Sequence, residues 1–232
     1  MIDAIVLAGG LGTRLAQTVP HLPKTLAPIQ KTPFLQLLLN QLAQSGLISK
    51  VVMALGHKAS AIESFIQSNS YPLPIEFSFE SSPLGTGGAI LQALSKTKSD
   101  PLLILNGDSF FDISFSDFYR FHTAEKGSLT IACRYVEDSS RYGSILFDES
   151  QRIYRFTEKT QGSQPGWISA GIYLIQRDLF SPFSPGVYSL ENEFFPKFLQ
   201  STAFAYLHAG DFIDIGTPSS YEEAQKILQP WT

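Results

Sequence analysis

The chain has 232 residues, 44% of them hydrophobic, and a formal net charge of −4 at pH 7. This length suits one domain, residues 1–232, and the 17 basic residues are scattered, which argues against a nucleic acid or a membrane surface as partner. No stretch of 18 apolar residues and no signal-peptide pattern is found, and the single cysteine, Cys133, permits no internal disulfide. We therefore expect a cytoplasmic protein that acts on small molecules, with monomer and homo-oligomer both open.

The first half of the chain alternates between strand-like and helix-like segments. We predict strands at 3–8, 50–55, 75–79 and 102–105, and helices at 33–45, 58–67 and 88–95. This alternation predicts right-handed crossovers and a mostly parallel sheet. Ligands of such sheets bind beyond the carboxyl ends of the strands. The loops that follow the first, third and fourth strands are therefore expected to meet at one edge of the sheet.

The second half of the chain has more strands and fewer helices. We predict strands at 129–135, 144–147, 152–156 and 167–175, a hairpin turn at 148–151, and a C-terminal helix at 218–228. We interpret this half as strands that continue the sheet, together with a small antiparallel lid. The histidines lack the spacing of metal ligands, so we expect structural or surface roles for His21, His57, His122 and His208.

The first strand ends in a glycine-rich segment, Gly-Gly-Leu-Gly-Thr-Arg at 9–14, and Pro23-Lys24 follows shortly after. Glycines let main-chain N–H groups face a phosphate without a Cβ in the way, and they adopt left-handed angles at little cost. Arg14 adds a fork-shaped cation and Lys24 a point-like one. The glycine spacing excludes both the Walker A loop and the dinucleotide-binding fingerprint. The segment still predicts a nucleotide phosphate site.

The pattern Leu-Ala-Gly-Gly-Leu-Gly-Thr-Arg-Leu at 7–15, followed by Pro23-Lys24, resembles the signature of sugar-1-phosphate nucleotidyltransferases. The resemblance runs from Ile2 to about Ala224. It implies a Rossmann-like, glycosyltransferase-A-like three-layer α/β fold with a mostly parallel sheet and a small antiparallel lid. It further implies a nucleotide-binding half at about 1–127 and a sugar-phosphate-binding half at about 128–232.

Nucleotidyl transfer needs little covalent help from the protein, because a sugar 1-phosphate is already a nucleophilic anion. The site has to align the reactants, hold a metal ion and neutralise the charge of the departing pyrophosphate. The resemblance implies Arg14 and Lys24 as the catalytic cations. Taken alone, Asp108 is typical of a turn and Asp214 of a helix start, but their motif contexts resemble the family's metal aspartates and imply a Mg²⁺ site.

The segment from Glu80 to Ile90 resembles the family's base-reading loop. A carboxylate at Glu80 favours guanine, whose N1–H and N2–H₂ groups are adjacent donors, and Gly85 allows close backbone approach to the base. Uracil stays open, because related uridylyltransferases also carry an acid here. The residues expected to bind the nucleotide are Leu7, Ala8, Gly9, Gly10, Gly12, Thr13, Glu80, Pro83, Gly85, Thr86, Asn106 and Gly107.

Three segments, 141–143, 156–159 and 167–173, resemble the acceptor-binding parts of the family. One carboxylate beside one ammonium suits a sugar phosphate, because buried hydroxyls need paired donors and acceptors. Serine at 169 is a departure, since many relatives have asparagine there. The residues expected to bind the sugar phosphate are Gly143, Glu158, Lys159, Ser169 and Gly171.

A function of another class is a non-catalytic paralogue that binds a sugar nucleotide and regulates a partner enzyme. Such proteins usually lose the loop arginine, the Pro-Lys cation or a metal aspartate. This chain keeps all of these groups, which favours catalysis.

Overall fold

The computed structural model describes residues 1–157 and 164–232 as alternating strands and helices. The strands are β1 (Ile2–Leu7), β2 (Pro28–Ile29), β3 (Thr32–Pro33), β4 (Ile48–Leu55), β5 (Ile75–Phe79), β6 (Leu102–Asn106), β7 (Ser109–Phe111), β8 (Leu129–Val136), β9 (Ser144–Phe147), β10 (Ile153–Thr157), β11 (Gly166–Ile175), β12 (Ala203–Leu207) and β13 (Phe212–Asp214). The α-helices are α1 (Phe34–Gln44), α2 (Ala59–Gln67), α3 (Gly85–Ala93), α4 (Phe115–Glu125), α5 (Phe195–Phe198) and α6 (Pro218–Ile227).

The main sheet has the strand order β10-β9-β11-β6-β1-β4-β5, and β8 joins it between β11 and β12. Strands β6, β1, β4 and β5 are parallel, whereas β11 runs antiparallel to β6, β8 and β9. Leu7 at the end of β1 pairs with both Ala54 and Asn106, so the carboxyl ends of three strands lie side by side. The predicted α/β class and the mainly parallel central sheet are confirmed.

Helices cover both faces of this sheet, as the alternation of buried residues along β1 requires. Ala4 and Val6 pack on the face covered by α1, α2 and α4, whereas Ile5 packs on the face covered by α3. A third buried cluster joins α1 to α6 and includes Leu15 from the glycine-rich segment. No helix within the described ranges is long and apolar enough to cross a membrane.

Several boundaries differ from the sequence prediction. The third helix begins at Gly85, earlier than the predicted start at 88, because its glycines lie inside the first turn. Helix α4 and strand β12 were not predicted at all. The signal for α4 exists: Ser114 caps it by accepting a hydrogen bond from Asp117 N at 3.2 Å, as an N-cap residue does.

His122 of α4 is buried, with 3% of its surface exposed, and its Nδ1 lies 2.7 Å from Thr130 Oγ1 of β8. Burial lowers the pKa of His122 from 6.5 to about 4, against an opposing effect of Asp100. The structural role expected for this histidine therefore fits its surroundings. Between these pH values the folded protein keeps the ring neutral, whereas the unfolded chain takes up a proton.

We expect the free energy of unfolding to fall as the pH drops from about 6.5 to about 4, with at most about 3 kcal/mol arising from His122. Denaturant unfolding across this range measures the effect. His122→Gln keeps a polar side chain but does not titrate, so its stability should depend less on pH. Parallel pH profiles for the two proteins would show that His122 does not carry the effect.

Candidate active site

A cleft of about 680 Å³ opens at the carboxyl ends of β1, β4, β5 and β6. It lies between the glycine-rich loop, residues 8–23, and the loop from Glu80 to Leu84 together with the first turn of α3. Most of the residues predicted to bind nucleotide or to act in catalysis line it. They are Leu7, Ala8, Gly9, Gly10, Gly12, Thr13, Arg14, Lys24, Glu80, Pro83, Gly85, Thr86, Asn106 and Asp108.

Gly107, also predicted to bind nucleotide, is part of the frame of the cleft rather than its lining. Its N–H donates to Leu7 O at 2.8 Å and extends the pairing of β1 with β6. A Cβ at position 107 would lie 2.6 Å from the same carbonyl oxygen. Glycine is therefore required here by the close approach of two strand ends.

The glycine-rich loop forms turns instead of opening a helix. Gly12 has a φ of +60°, and its carbonyl accepts hydrogen bonds from the N–H groups of Leu15 and Ala16, each at 3.1 Å. Leu15 is 2% exposed and is anchored in the core beside Phe34. Its neighbour Arg14 is exposed and forms no hydrogen bond or ion pair within the described residues. The guanidinium is thus available to an anionic ligand.

Lys24 begins a 3₁₀ turn, Lys24–Leu26, and its ammonium forms an ion pair with Asp108 Oδ2. The Lys24 side chain is 13% exposed and that of Asp108 is 40% exposed. Asp108 also accepts from Ser109 Oγ at 3.2 Å. The predicted catalytic cation and the predicted metal ligand thus neutralise each other.

Asp214, the second predicted metal ligand, lies behind the cleft and is held by several donors. Arg141 Nη2 donates to its two oxygens at 3.0 and 2.8 Å, Tyr142 Oη at 2.5 Å and Gly216 N at 2.6 Å. Burial and the bond to Asp214 raise the pKa of Tyr142, which keeps its hydroxyl a donor. Among the described residues, no three His, Cys, Asp or Glu side chains form a metal cluster.

The two aspartates are nevertheless close to each other. Ile215 N donates to Asp108 O at 2.9 Å. A Cβ at Gly216 would lie 2.5 Å from Asp214 Oδ1 and 3.5 Å from Lys24 Nζ. Gly216 thus separates the Lys24–Asp108 pair from the Arg141–Asp214 pair and lines the cleft between them.

Glu80 connects the two walls of the cleft. Its Oε2 accepts from Leu84 N at 2.9 Å, which closes its own loop. Its Oε1 lies so close to the backbone of Gly9 that a Cβ there would be 2.3 Å away. The glutamate that was predicted to read the base therefore also shapes its loop.

Gly85 is fixed by a contact that the sequence did not reveal. Its φ is +70°, and a Cβ at this position would lie 2.4 Å from Tyr188 O. That carbonyl accepts from Gly87 N at 2.8 Å, and Tyr188 N donates to Leu84 O at 2.9 Å. The segment around Tyr188 thus caps the start of α3, and this packing is reason enough for glycine at 85.

Replacing Gly85 by alanine is expected to destabilise the protein by roughly 2–4 kcal/mol, because a left-handed residue would gain a Cβ that overlaps a carbonyl. Gly10→Ala is the matched control: no atom lies within 4 Å of a Cβ there, and φ is not positive. Its effect should stay within about 1 kcal/mol. Denaturant unfolding of both variants measures the difference, and equal stabilities would contradict the packing argument.

Of the residues expected at the sugar phosphate, the structure describes Gly143, Ser169 and Gly171, and none of these three lines the cleft. Gly171 has a φ of +75°, and a Cβ there would lie 2.7 Å from Asn106 Nδ2. Ser169 Oγ donates to Tyr173 Oη at 3.1 Å and accepts from Gly171 N at 3.3 Å. A Cβ at Gly143 would lie 2.4 Å from the Phe156 ring.

Two residues expected at the sugar phosphate, Glu158 and Lys159, lie outside the described residues. The acceptor set is therefore described only through Gly143, Ser169 and Gly171. Of these, Gly171 is connected to the cleft through Asn106, which lines it.

Several lining residues were missed by the sequence analysis, notably Thr25, Gly56, His57 and Gly216. His57 had been assigned a structural or surface role; it is exposed and lines the cleft. Gly56 and His57 follow β4 directly, so the rule that selected the other strand ends could have selected them too.

The chain belongs to the nucleotidyl transferase family, whose sequence profile matches residues 3–230. A D-glycero-alpha-D-manno-heptose 1-phosphate guanylyltransferase from Aneurinibacillus thermoaerophilus is 37% identical over 230 residues, covering 98% of this chain and 99% of the relative. A mannose-1-phosphate guanylyltransferase from Mycobacterium tuberculosis is 32% identical over 95% of this chain and 62% of its own length.

Among solved structures, HddC from Yersinia pseudotuberculosis has the same fold, with a TM-score of 0.88 and 31% identity. The match covers 99% of this chain and 100% of HddC, and HddC has also been crystallised in complex with GMP-PN. The three-layer fold expected from the sequence is confirmed by this match.

Proposed function

We propose that the protein transfers GMP from GTP to D-glycero-α-D-manno-heptose 1-phosphate, giving GDP-heptose and pyrophosphate. The observation that carries the proposal is the cleft, in which the glycine-rich loop, Arg14, Lys24 and Glu80 face one space. The relative from Aneurinibacillus supports the sugar and the base. In the sequence, the runs at 83–90, 106–112 and 212–218 support the same choice, because among short family members they look most like heptose 1-phosphate guanylyltransferases.

In this reaction an oxygen of the sugar phosphate attacks the α-phosphorus of GTP, and the bond from that phosphorus to the bridging oxygen of the β-phosphate breaks. The electron pair leaves with pyrophosphate. No general base is needed, because the attacking phosphate oxygen is already negative. Arg14 neutralises charge that develops on the leaving group, and Lys24 neutralises charge at the phosphates beside Asp108. The main-chain N–H groups of the glycine-rich loop donate to the same phosphates.

Glu80 has the lone pairs that a guanine reader needs. Oε2 uses one lone pair for Leu84 N, and the carboxylate keeps its remaining lone pairs for N1–H and N2–H₂ of guanine. Pro83 and Gly85 form the wall beside it, and Thr86 lies in the first turn of α3. Uracil offers one donor between two acceptors, which suits a carboxylate less well.

Nucleotidyltransferases of this family generally use a divalent metal ion, and we propose Mg²⁺ for this protein. The donor set fits: Asp108 lines the cleft with a 40% exposed carboxylate, and Mg²⁺ typically takes one or two carboxylates together with substrate phosphates. Asp214 would join only after Arg141 and Tyr142 release it. When bound, the ion supplies positive charge to the triphosphate.

For the acceptor, we propose that residues 128–232 form the sugar-phosphate half and residues 1–127 the nucleotide half. Glu158 accepts from sugar hydroxyls, Lys159 holds the phosphate, and Gly143 and Gly171 permit close approach. Ser169 supplies a hydroxyl where many relatives have an amide.

The test is pyrophosphate release with Mg²⁺, in which GTP, UTP, CTP, ATP and dTTP are crossed with heptose, mannose, glucose and N-acetylmuramic acid 1-phosphates. Turnover with GTP and the heptose phosphate is expected. Turnover of GTP with mannose 1-phosphate would support the proposed base but contradict the proposed sugar. Turnover of UTP with N-acetylmuramic acid 1-phosphate would contradict both. No pyrophosphate release in any combination, together with thermal stabilisation by a sugar nucleotide, would indicate the regulatory paralogue.

A separate prediction concerns the base. Glu80→Gln is expected to lower kcat/KM for GTP by about tenfold or more, because the amide NH₂ would face the two guanine donors. The kcat/KM for UTP should change less. Steady-state kinetics with both nucleotides measures this, and an equal loss for the two would assign Glu80 a role in shaping the loop only.

A further inference from the structure

The turn after β4, residues 56–58, contacts the glycine-rich loop at both of its ends. At the start of the loop, His57 N donates to Gly9 O at 3.2 Å, and a Cβ at Gly56 would lie 2.9 Å from that oxygen. Towards its end, Lys58 Nζ donates to Pro20 O at 2.9 Å and to Leu22 O at 3.1 Å. The Lys58 side chain therefore ties residues 20–22, the returning arm of the loop, to the end of β4 in the central sheet.

The loop has few other ties over this arm. Leu15 anchors its middle in the core, and the N–H groups of Thr18 and Val19 bond to Leu15 O. Among the described residues, Lys58 is the one whose side chain donates to backbone carbonyls of residues 20–22, namely Pro20 O and Leu22 O. An ammonium suits this position, because it offers three donors in a compact head.

The backbone of Lys58 is itself unusual. Its φ and ψ are +54° and +31°, a left-handed conformation that disfavours any residue with a Cβ, and it is the N-cap of α2. An unfavourable conformation persists only where its surroundings impose it, and such positions cluster at functional sites. Here the consequence of the conformation is a lysine that reaches the loop that carries Arg14 and leads into Lys24.

We propose that Lys58 is a positioning residue: by bonding to Pro20 O and Leu22 O it fixes the glycine-rich loop so that Arg14 and Lys24 face the nucleotide phosphates. The kinetic part of this inference rests on the proposed function, whereas the structural part does not. Lys58 does not line the cleft, so we expect its effect to pass through the loop.

The kinetic test compares Lys58→Met, Lys58→Arg and Lys126→Met. Lys126 is the matched control, because it is an exposed lysine with nearly the same left-handed conformation, φ 53° and ψ 39°, at the end of α4. Lys58→Met is expected to lower kcat/KM for GTP by roughly tenfold or more, mainly through kcat because the loop positions Arg14, while KM for the sugar phosphate stays nearly unchanged. Lys58→Arg should recover most of the loss, and Lys126→Met should behave as the unchanged protein.

A second readout needs no activity. Leu15 is buried, so trypsin needs local opening of the loop to cleave after Arg14. Lys58→Met should therefore yield the fragment beginning at Leu15 several-fold faster than the unchanged protein, while the cleavage sites outside the loop that both proteins share are unaffected. Unchanged cleavage at Arg14, or faster cleavage everywhere with a lower melting temperature, would overturn the proposal. If the unchanged protein has no transferase activity, the proposed function fails, but the cleavage assay still decides the role of Lys58.

Discussion

Replacing Arg14 by alanine is expected to reduce kcat for pyrophosphate release by about 10²–10³-fold, while GTP binding weakens far less. Arg14 lies in the cleft on a loop whose next residue, Leu15, is anchored in the core, and its guanidinium has no partner within the described residues. Because the guanidinium has no protein partner to release, it is available to the leaving pyrophosphate as charge develops there. Arg14 is therefore expected to stabilise the transition state more than it stabilises bound GTP.

Two further variants make the Arg14 experiment specific. Arg14→Lys keeps the charge but loses the planar fork, so its kcat should fall between those of the alanine variant and the unchanged protein. Arg120→Ala is the control, because Arg120 is exposed on α4 and does not line the cleft. The measurements are steady-state kinetics and GTP titration by calorimetry. If Arg14→Ala released pyrophosphate at the unchanged rate, Arg14 would not act on the leaving group.

The central sheet was predictable because its strands are apolar runs that end in glycine or polar residues. β1 ends at Leu7, two residues before Gly9, and β6 ends at Asn106, directly before Gly107-Asp108. Adjacent residues therefore indicate both the strand and the point where the cleft begins. Helix α4 was missed for the opposite reason: its exposed face is polar, and only a few positions such as Phe115 and Phe118 are buried. The N-cap Ser114 is the one signal in the sequence, whereas the packing of α4 on β12 and β8 is visible only in the structure.

The sequence predicts residues that line the candidate cleft where one segment carries the signal, and it misses contacts between distant segments. Glycine-rich composition identified the loop at 9–14, but not that Lys58 holds its returning arm. Gly85 was assigned to the base, although Tyr188 already excludes a side chain there. Such contacts depend on tertiary packing between segments far apart in the chain, which residue type and spacing do not encode.

Asp108 and Asp214 are expected to respond differently to the same change, aspartate to asparagine. Asp108→Asn should lower kcat by at least about 10²-fold, because a neutral amide binds Mg²⁺ poorly and no longer balances Lys24. Its stability should change little, since an ion pair with a 40% exposed carboxylate contributes about 0–1 kcal/mol. Asp117→Asn removes the exposed ion pair with Arg120 and is the matched control for stability.

Asp214→Asn should lower activity and also destabilise the fold by about 2 kcal/mol, because the change removes the charge that Arg141 faces and an oxygen acceptor of the Asp214 network. The estimate stays below that for a fully buried pair, since the Arg141 side chain is 38% exposed. Denaturant unfolding, measured with and without Mg²⁺, separates the two aspartates from each other. A loss of stability in Asp108→Asn as large as in Asp214→Asn would contradict this division, as would an Asp214→Asn variant that is as stable as the unchanged protein. The expected pattern assigns Asp108 to binding the metal ion. It assigns Asp214 first to holding Arg141, and with it the loop between β8 and β9, residues 137–143, against the cleft.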